Sequence, residues 1–359
     1  MQRKTIFIAG CVGVPAAYGG FETLAENLVL YREQADVPAD LTVFCSRPAM
    51  GEGGPSRFHG AELVYLPLQA NGVASIPYDI WSLLIARWRG ADTVLLLGIS
   101  GALAIPLIRL LGHTRIVTNI DGIEWRRQKW GRLASSFLRF SEWLAVRCSH
   151  VVVADNDAVA DYVQTSYGAS STVIAYGGDQ AVNVEAAPLP FSLPDKYALA
   201  LCRIEPENNI EMILEAFARS PELPIAFVGN WESSDFGREM RNRYKKYSHV
   251  ILLDPLYDLG ALKTLRMGAS LYVHGHSAGG TNPSLVEAMH FGKPVAAFDC
   301  GFNRRTTAGK ALFFKDAEEL ASLVSGDSAA WAGVGEAMQI LAREEYVWKT
   351  IGAQYFQIL

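Results

Sequence analysis

The residues able to do chemistry gather in four short stretches, each at the end of an apolar run. The first spans Gly10 to Glu22 (GCVGVPAAYGGFE). Its glycines let the backbone approach a ligand, and a following helix would present free N–H groups to an anion. The spacing is neither the dinucleotide fingerprint GxGxxG nor a P-loop, since no Gly-Lys-Ser/Thr follows. A tight strand-to-helix turn explains the same residues, but Gly19 and Gly20 beside Tyr18 and Glu22 favour a ligand role.

The second stretch runs from His274 to Met289 (HGHSAGGTNPSLVEAM). A buried strand is expected to end at His274, with a glycine-rich turn after it. Asn282 then reads as a helix N-cap and Pro283 as the first helical residue. Backbone amides from Gly280 to Ser284 suit a diphosphate without a metal, and Glu287, one turn in, suits ribose hydroxyls. An ordinary capped helix with an exposed Glu287 is the plain alternative. The pair His274 and His276 lacks a third ligand at helpful spacing, so no metal is expected.

The third stretch, Leu201 to Ile210 (LCRIEPENNI), places Arg203 at another strand end, where it could grip phosphate oxygens or pair with Glu205 or Glu207. In the fourth, Thr118 to Trp130 (TNIDGIEWRRQKW), Asp121 could orient an acceptor hydroxyl or take its proton, although Asp-Gly is also a common turn. From Arg126 to Arg147 six cations stand against the single acid Glu142, with Trp125, Trp130, Phe137, Phe140 and Trp143 interleaved. In a chain of net charge -5 such a segment suits an anionic membrane surface, or else an ordinary helix with a solvated basic face.

Positioning these groups falls to short apolar runs alternating with helical periodicity. Twelve runs read as buried parallel strands, among them Thr5–Ala9, Thr93–Leu97, Tyr197–Leu201 and Leu271–His274. Between them lie i, i+3, i+4 patterns such as Leu24, Ala25, Leu28 and Tyr31. The alternation predicts an α/β protein of two Rossmann-like, doubly wound parallel-sheet domains. An N-terminal domain is expected over 1–178, a proline-containing linker over 179–196, a C-terminal domain over 197–338 and a final helix over 339–359 returning to the first domain.

Composition sets further bounds. The 359 residues are half apolar and 19% charged, as in globular proteins, and the charge gives no reason to expect nucleic acid binding. Five scattered cysteines without a CxxC pair fit a reducing cytosol. The run Ile6 to Gly10 is too short for a signal-peptide core, and no stretch reads as a membrane span, so a cytoplasmic protein is expected.

Together the motifs GVPAAYGGFE (13–22), NIDGIEW (119–125), RIEPENNI (203–210) and HGHSAGGTNPS (274–284) with Glu287, Ala288 and Met289 resemble glycosyltransferase family 4, the retaining enzymes of the GT-B fold. More narrowly they look like its bacterial rhamnosyltransferase branch. The resemblance implies two domains facing a cleft, with Gly19 and Gly20 bordering a donor diphosphate, Arg203 gripping it and Glu287 holding the ribose. The first glutamate of the family's paired-glutamate signature falls at Gly279, and the usual phosphate-gripping lysine falls at Asn208, leaving Arg304 or Arg305 as possible helpers. Loss of that first acid is compatible with a 6-deoxy sugar.

The expected catalytic residues are therefore Asp121, Arg203 and Glu287. The expected donor contacts are Gly19, Gly20, His274, Gly279, Gly280, Thr281, Asn282, Ser284 and Glu287. Glu124, Trp125, Arg126, Arg127, Lys129 and Trp130 are the expected acceptor or membrane surface. The expected reaction is sugar transfer from dTDP-L-rhamnose to a lipid-linked glycan, with no cofactor, at the inner face of the plasma membrane. A nucleotide-sugar epimerase or hydrolase, or a non-catalytic nucleotide-sugar-binding subunit, stays open as an alternative.

Overall fold

Strands made of Val, Ile, Leu and Ala, with no polar alternation, form the centre of each half, because helices cover both faces of the sheet. The computed structural model describes residues 3–16, 19–126, 131–326 and 328–359, the side chains of Arg126 and Ser328 excepted. The chain divides into two units, Met1–Ala175 with Trp348–Leu359, and Tyr176–Val347.

In the first unit, β1 (Lys4–Ala9), β2 (Ala39–Ser46), β3 (Arg57–Phe58), β4 (Ala61–Leu66), β5 (Thr93–Leu97), β6 (Arg115–Asn119), β7 (Val151–Ala154) and β8 (Thr172–Val173) form one sheet. Their spatial order is β3-β4-β2-β1-β5-β6-β7-β8. All pairings are parallel except β3 with β4. The helices are α1 (Gly20–Gln34), α2 (Arg47–Met50), α3 (Ser75–Trp88), α4 (Ile105–Leu110), α5 (Arg132–Cys148) and α6 (Asp157–Tyr167). β1 and β5 are buried along nearly their whole length. They lie side by side where the strand order reverses, the point at which open α/β sheets bind ligands.

The second unit has a parallel sheet of β9 (Ala198–Leu201), β10 (Ile225–Val228), β11 (Val250–Leu253), β12 (Leu271–His274), β13 (Val295–Phe298) and β14 (Leu312–Phe314). Its order is β11-β10-β9-β12-β13-β14, so the reversal lies between β9 and β12. The helices are α7 (Ile210–Ala218), α8 (Asp235–Tyr244), α9 (Leu259–Gly268), α10 (Pro283–Met289), α11 (Gly301–Thr306), α12 (Ala317–Ser325) and α13 (Val334–Glu345). Its core gathers Ile213, Phe217, Phe227, Trp231 and Phe314, with the Trp231 indole N–H donating to Leu253 O at 2.9 Å.

Two boundaries differ from expectation. The stretch 179–196, read as a linker, is part of the second unit. Lys263 Nζ donates to the carbonyls of Val182 and Val184 at 2.9 and 2.8 Å, and Thr264 Oγ1 to that of Ala187 at 2.6 Å, so side chains satisfy this irregular backbone. The single helix expected over 339–359 is two. α13 stays with the second unit, and α14 (Trp348–Ile358) belongs to the first. The chain breaks at Tyr346, whose carbonyl accepts from Gly178 N–H at 2.8 Å and from His290 Nε2 at 2.9 Å. α14 lies against α1 through Tyr31 and Phe356, and Gly352 is where the Tyr31 ring comes too close for any side chain.

Candidate functional site

At the reversal point of the second unit, Leu271 pairs with Ala198 and Tyr272 with Leu199, so β9 and β12 deliver their outgoing loops side by side. Those loops are tied together. Asn209, in the left-handed region at φ 51°, donates through Nδ2 to Gly275 O at 2.8 Å. Ser277 donates to Glu207 O through its amide at 3.0 Å and its hydroxyl at 2.7 Å. From α11, Asn303 Nδ2 donates to His276 O at 2.9 Å. Three successive strand-end loops thus hold one another in place, which a preformed site requires.

On this platform sits the turn from Gly279 to Asn282. Gly279 has φ 126°, which disfavours any side chain, so a glutamate there would be strained although space is open around it. Asn282 caps α10, its Oδ1 accepting from Ser284 N–H at 3.1 Å and Ser284 Oγ at 2.8 Å. Ser284 is therefore engaged in the cap. α10 has only seven residues, which leaves the turn amides as the main attraction for an anion. Gly279, Gly280 and Asn282 are half-buried, and their amides donate to no group among the described residues. Such amides are open to an acceptor, and a phosphate oxygen is one that fits. Thr281, between them, is buried.

Arg203 leaves the adjacent strand end with its guanidinium half-exposed. Its carboxylate neighbour is Glu205 at 3.9 Å, beyond hydrogen-bond distance, and such a pair contributes little. Asn208, at the position of the family's lysine, is buried and donates to Arg203 O at 2.7 Å, so it orders the loop and adds no charge. Arg304 is no substitute: it forms a two-point pair with Asp299 and lies 4.3 Å over the Phe313 ring.

Glu287 is anchored from two sides. Gln180 Nε2 donates to its Oε1 at 2.8 Å, and the buried Arg266 pairs with its Oε2. Burial pushes the carboxyl above its ordinary range, while Arg266 and Gln180 pull it back. Sequence reasoning missed both partners. Arg266 left a trace as the one cation in the buried stripe Ala261, Leu262, Leu265 and Arg266 of α9; Gln180 left none.

His274 is buried beneath the turn, with neither ring nitrogen hydrogen-bonded among the described residues. Its ring stacks on that of His276 at 4.4 Å. Burial holds it down at about 3, so it is neutral at physiological pH and supplies no charge to a diphosphate. Among the described residues no three His, Cys, Asp or Glu side chains are grouped to hold a metal.

The first unit's strand-end loop is built differently. Gly19, at φ 123°, is where the Glu22 carboxylate leaves no room for a side chain. Glu22 Oε1 accepts from Val12 N–H at 2.6 Å, and Glu26 Oε2 accepts from Ala16 N–H. Gly20 opens α1. Asp121 follows β6 at φ 58°, its amide donating to Asn119 Oδ1 at 2.9 Å, and Asn119 in turn donates to the Tyr355 hydroxyl of α14 at 2.8 Å. Its backbone therefore makes the left-handed turn that Asp-Gly suggests.

Glu124 and Trp125 lie in a short 3-10 turn. Trp125, expected at an acceptor or membrane surface, turns its indole N–H inward to the Tyr162 hydroxyl at 3.1 Å, and Arg139 covers its ring at 5.3 Å. Tyr162 and Tyr167 both donate to buried Glu142 at 2.6 and 2.5 Å, which fixes the turn to α5 and α6. The side chain of Arg126, and all of Arg127, Lys129 and Trp130, lie outside the described residues.

Comparison with known proteins follows the same division. Residues 3–179 match a domain of unknown function, DUF1972, and residues 184–324 match the family of glycosyl transferases group 1. No curated protein matches the chain. Among solved structures, a sucrose-phosphate synthase from Thermosynechococcus elongatus is similar at TM-score 0.79 and 16% identity, over 99% of this chain and 98% of that one. HepE from Anabaena, solved in complex with UDP-glucose, is similar at TM-score 0.71 and 17% identity, over 99% and 98%. A glycosyltransferase from Rickettsia africae is similar at TM-score 0.70 and 14% identity, over 100% and 98%. The chain thus carries a match to DUF1972 over its first part and to glycosyl transferases group 1 over its second, on a fold of two parallel-sheet units similar to that of these solved structures.

Proposed function

We propose that the chain is a retaining glycosyltransferase that moves L-rhamnose from dTDP-L-rhamnose to a hydroxyl of a lipid-linked glycan, in bacterial surface polysaccharide synthesis at the cytoplasmic face of the plasma membrane. The observation that carries the reading is the turn in the group 1 domain, where the amides of Gly279, Gly280 and Asn282 have no partner among the described residues and Arg203 stands at the neighbouring strand end. HepE is described in complex with UDP and with UDP-glucose, which supports a nucleotide sugar as donor.

In this reading the bond between the sugar's anomeric carbon and the diphosphate oxygen breaks, and the electron pair stays on that oxygen. Arg203 and the turn amides stabilise the charge as it develops, the task a metal performs elsewhere. Glu287, fixed by Arg266 and Gln180, holds the ribose. Gly279 presents no carboxylate to the sugar, which suits a 6-deoxy sugar. Asp121 takes the proton of the acceptor hydroxyl, whose oxygen forms the new bond to the anomeric carbon from the face that the leaving group vacates and gives retention.

A panel of dTDP-, UDP- and GDP-sugars, read first by thermal shift and then by nucleoside diphosphate release, tests the proposal. The largest shift is expected with dTDP-L-rhamnose, with release only when a lipid-linked glycan is added. Donor conversion without acceptor would make the chain an epimerase or hydrolase, and binding without turnover would make it a non-catalytic subunit.

A further inference from the structure

Sixteen large apolar side chains are exposed among the described residues, and nine of them lie on α3, α4, α5 and the turn that leads into α4. Each helix carries them as one outward stripe. On α3 they are Trp81, Leu84 and Trp88, at i, i+3 and i+7. On α4 they include Leu107 and Leu110, and on α5 they include Leu133 and Phe140. Trp88, Leu110 and Leu133 are 86%, 85% and 89% exposed. α4 contacts both α3 and α5, so the three stripes adjoin. A soluble surface scatters such residues singly, and a concentration of this kind marks an interaction site.

The exposed charges on these helices have one sign. Arg87, Arg109, Arg132, Arg139 and Arg147 pair with no carboxylate among the described residues, while the two acids, Asp79 and Glu142, are buried. Exposed acids return on the next helix, with Asp157 and Asp161 of α6. A second copy docking on this face would set arginines against arginines. An anionic lipid surface supplies both an apolar layer for tryptophan and leucine and negative headgroups for arginine.

We propose that the α3–α4–α5 face docks on an anionic lipid bilayer. The proposal extends the reading of a lipid-linked acceptor by naming the surface that keeps the chain beside it, and its test requires no turnover. Exposed Trp and Leu side chains enter the headgroup boundary, and the arginines stay at the phosphates.

Co-sedimentation of the full chain with vesicles is the measurement. One preparation is phosphatidylcholine alone and the other equal parts phosphatidylcholine and phosphatidylglycerol. Wild type is expected to pellet with the second and remain in solution with the first. The triple variant Trp88→Ser, Leu110→Ser, Leu133→Ser should bind about ten-fold more weakly, and Arg109→Glu with Arg132→Glu should lose the preference for phosphatidylglycerol. Both variants should keep the wild-type melting temperature and its shift with dTDP-L-rhamnose, which reads the donor site independently. Wild type that ignores the anionic vesicles, or a triple variant that pellets like wild type, would overturn the proposal. So would a triple variant that only turns a dimer into a monomer in sedimentation velocity, since the face would then join two copies.

Discussion

The two units offer the same signature, a buried strand, a glycine pair and a helix, yet the two loops treat anions in opposite ways. In the first, Glu22 stands in the opening turn of α1 and accepts from Val12 N–H, and Glu26 accepts from Ala16 N–H. The amides of Val12 and Ala16 are thus occupied by the protein's own carboxylates. In the second, the opening turn of α10 carries no acid, and a neutral Asn282 makes the cap. Gly279, Gly280 and Asn282 keep their N–H groups without partners among the described residues, with Arg203 at the neighbouring strand end. Glycines make room for an anion; the acid in the first turn decides whether the anion is internal or a ligand.

The largest effect that could break this comparison is Arg203→Ala. Loss of a cation that meets charge developing on the leaving diphosphate should cost about 2–4 kcal/mol of transition-state stabilisation, a fall in turnover of roughly thirty- to several-hundred-fold. Stability should change by less than about 0.5 kcal/mol, because the 3.9 Å pair with Glu205 is half-exposed. Measured nucleoside diphosphate release near the wild-type rate would remove Arg203 from the chemistry.

Glu22→Ala should act in the opposite sense. It leaves the amide of Val12 without its acceptor and should destabilise the chain by about 1–3 kcal/mol in urea unfolding, with Glu22→Gln recovering most of the loss. The thermal shift induced by dTDP-L-rhamnose should stay at the wild-type value in both. A variant of unchanged stability that no longer binds this donor would mean that Glu22 serves a ligand after all.

How far each loop was legible follows from the range of the interactions. The expected strands rest on local pattern, and the sheets contain them; β14 and the two-residue β3 lie outside the expected runs. Asn282 and Pro283 act within their own turn, so the cap at α10 was legible. The anchors of Glu287 lie 107 and 21 residues away, at Gln180 and Arg266, and no local rule connects them. Trp125 reads as a surface residue because arginines follow it, but its partner Tyr162 is 37 residues on. Glu22 was visible as an acid beside glycines, and only geometry shows that it points back into its own loop.

His274 offers the smallest effect and sharpens the comparison from beneath. Its ordinary value is 6.5, and burial lowers it to about 3 in the folded chain. Above about 6.5 neither folded nor unfolded chain binds the proton, and the full stability is present. Between 6.5 and about 3 the unfolded chain takes up a proton that the folded chain refuses, so stability falls as the pH falls, by at most about 1.4 kcal/mol per pH unit. His274→Leu should flatten that slope in urea unfolding between about pH 7 and pH 5. Some slope should remain, because burial also holds His290 and His150 below their ordinary values. Parallel curves for variant and wild type would mean that the ring under the turn is charged in the folded state. Attraction for an anion would then come from the floor of the second loop as well, and the contrast with the first would no longer rest on amides and Arg203 alone.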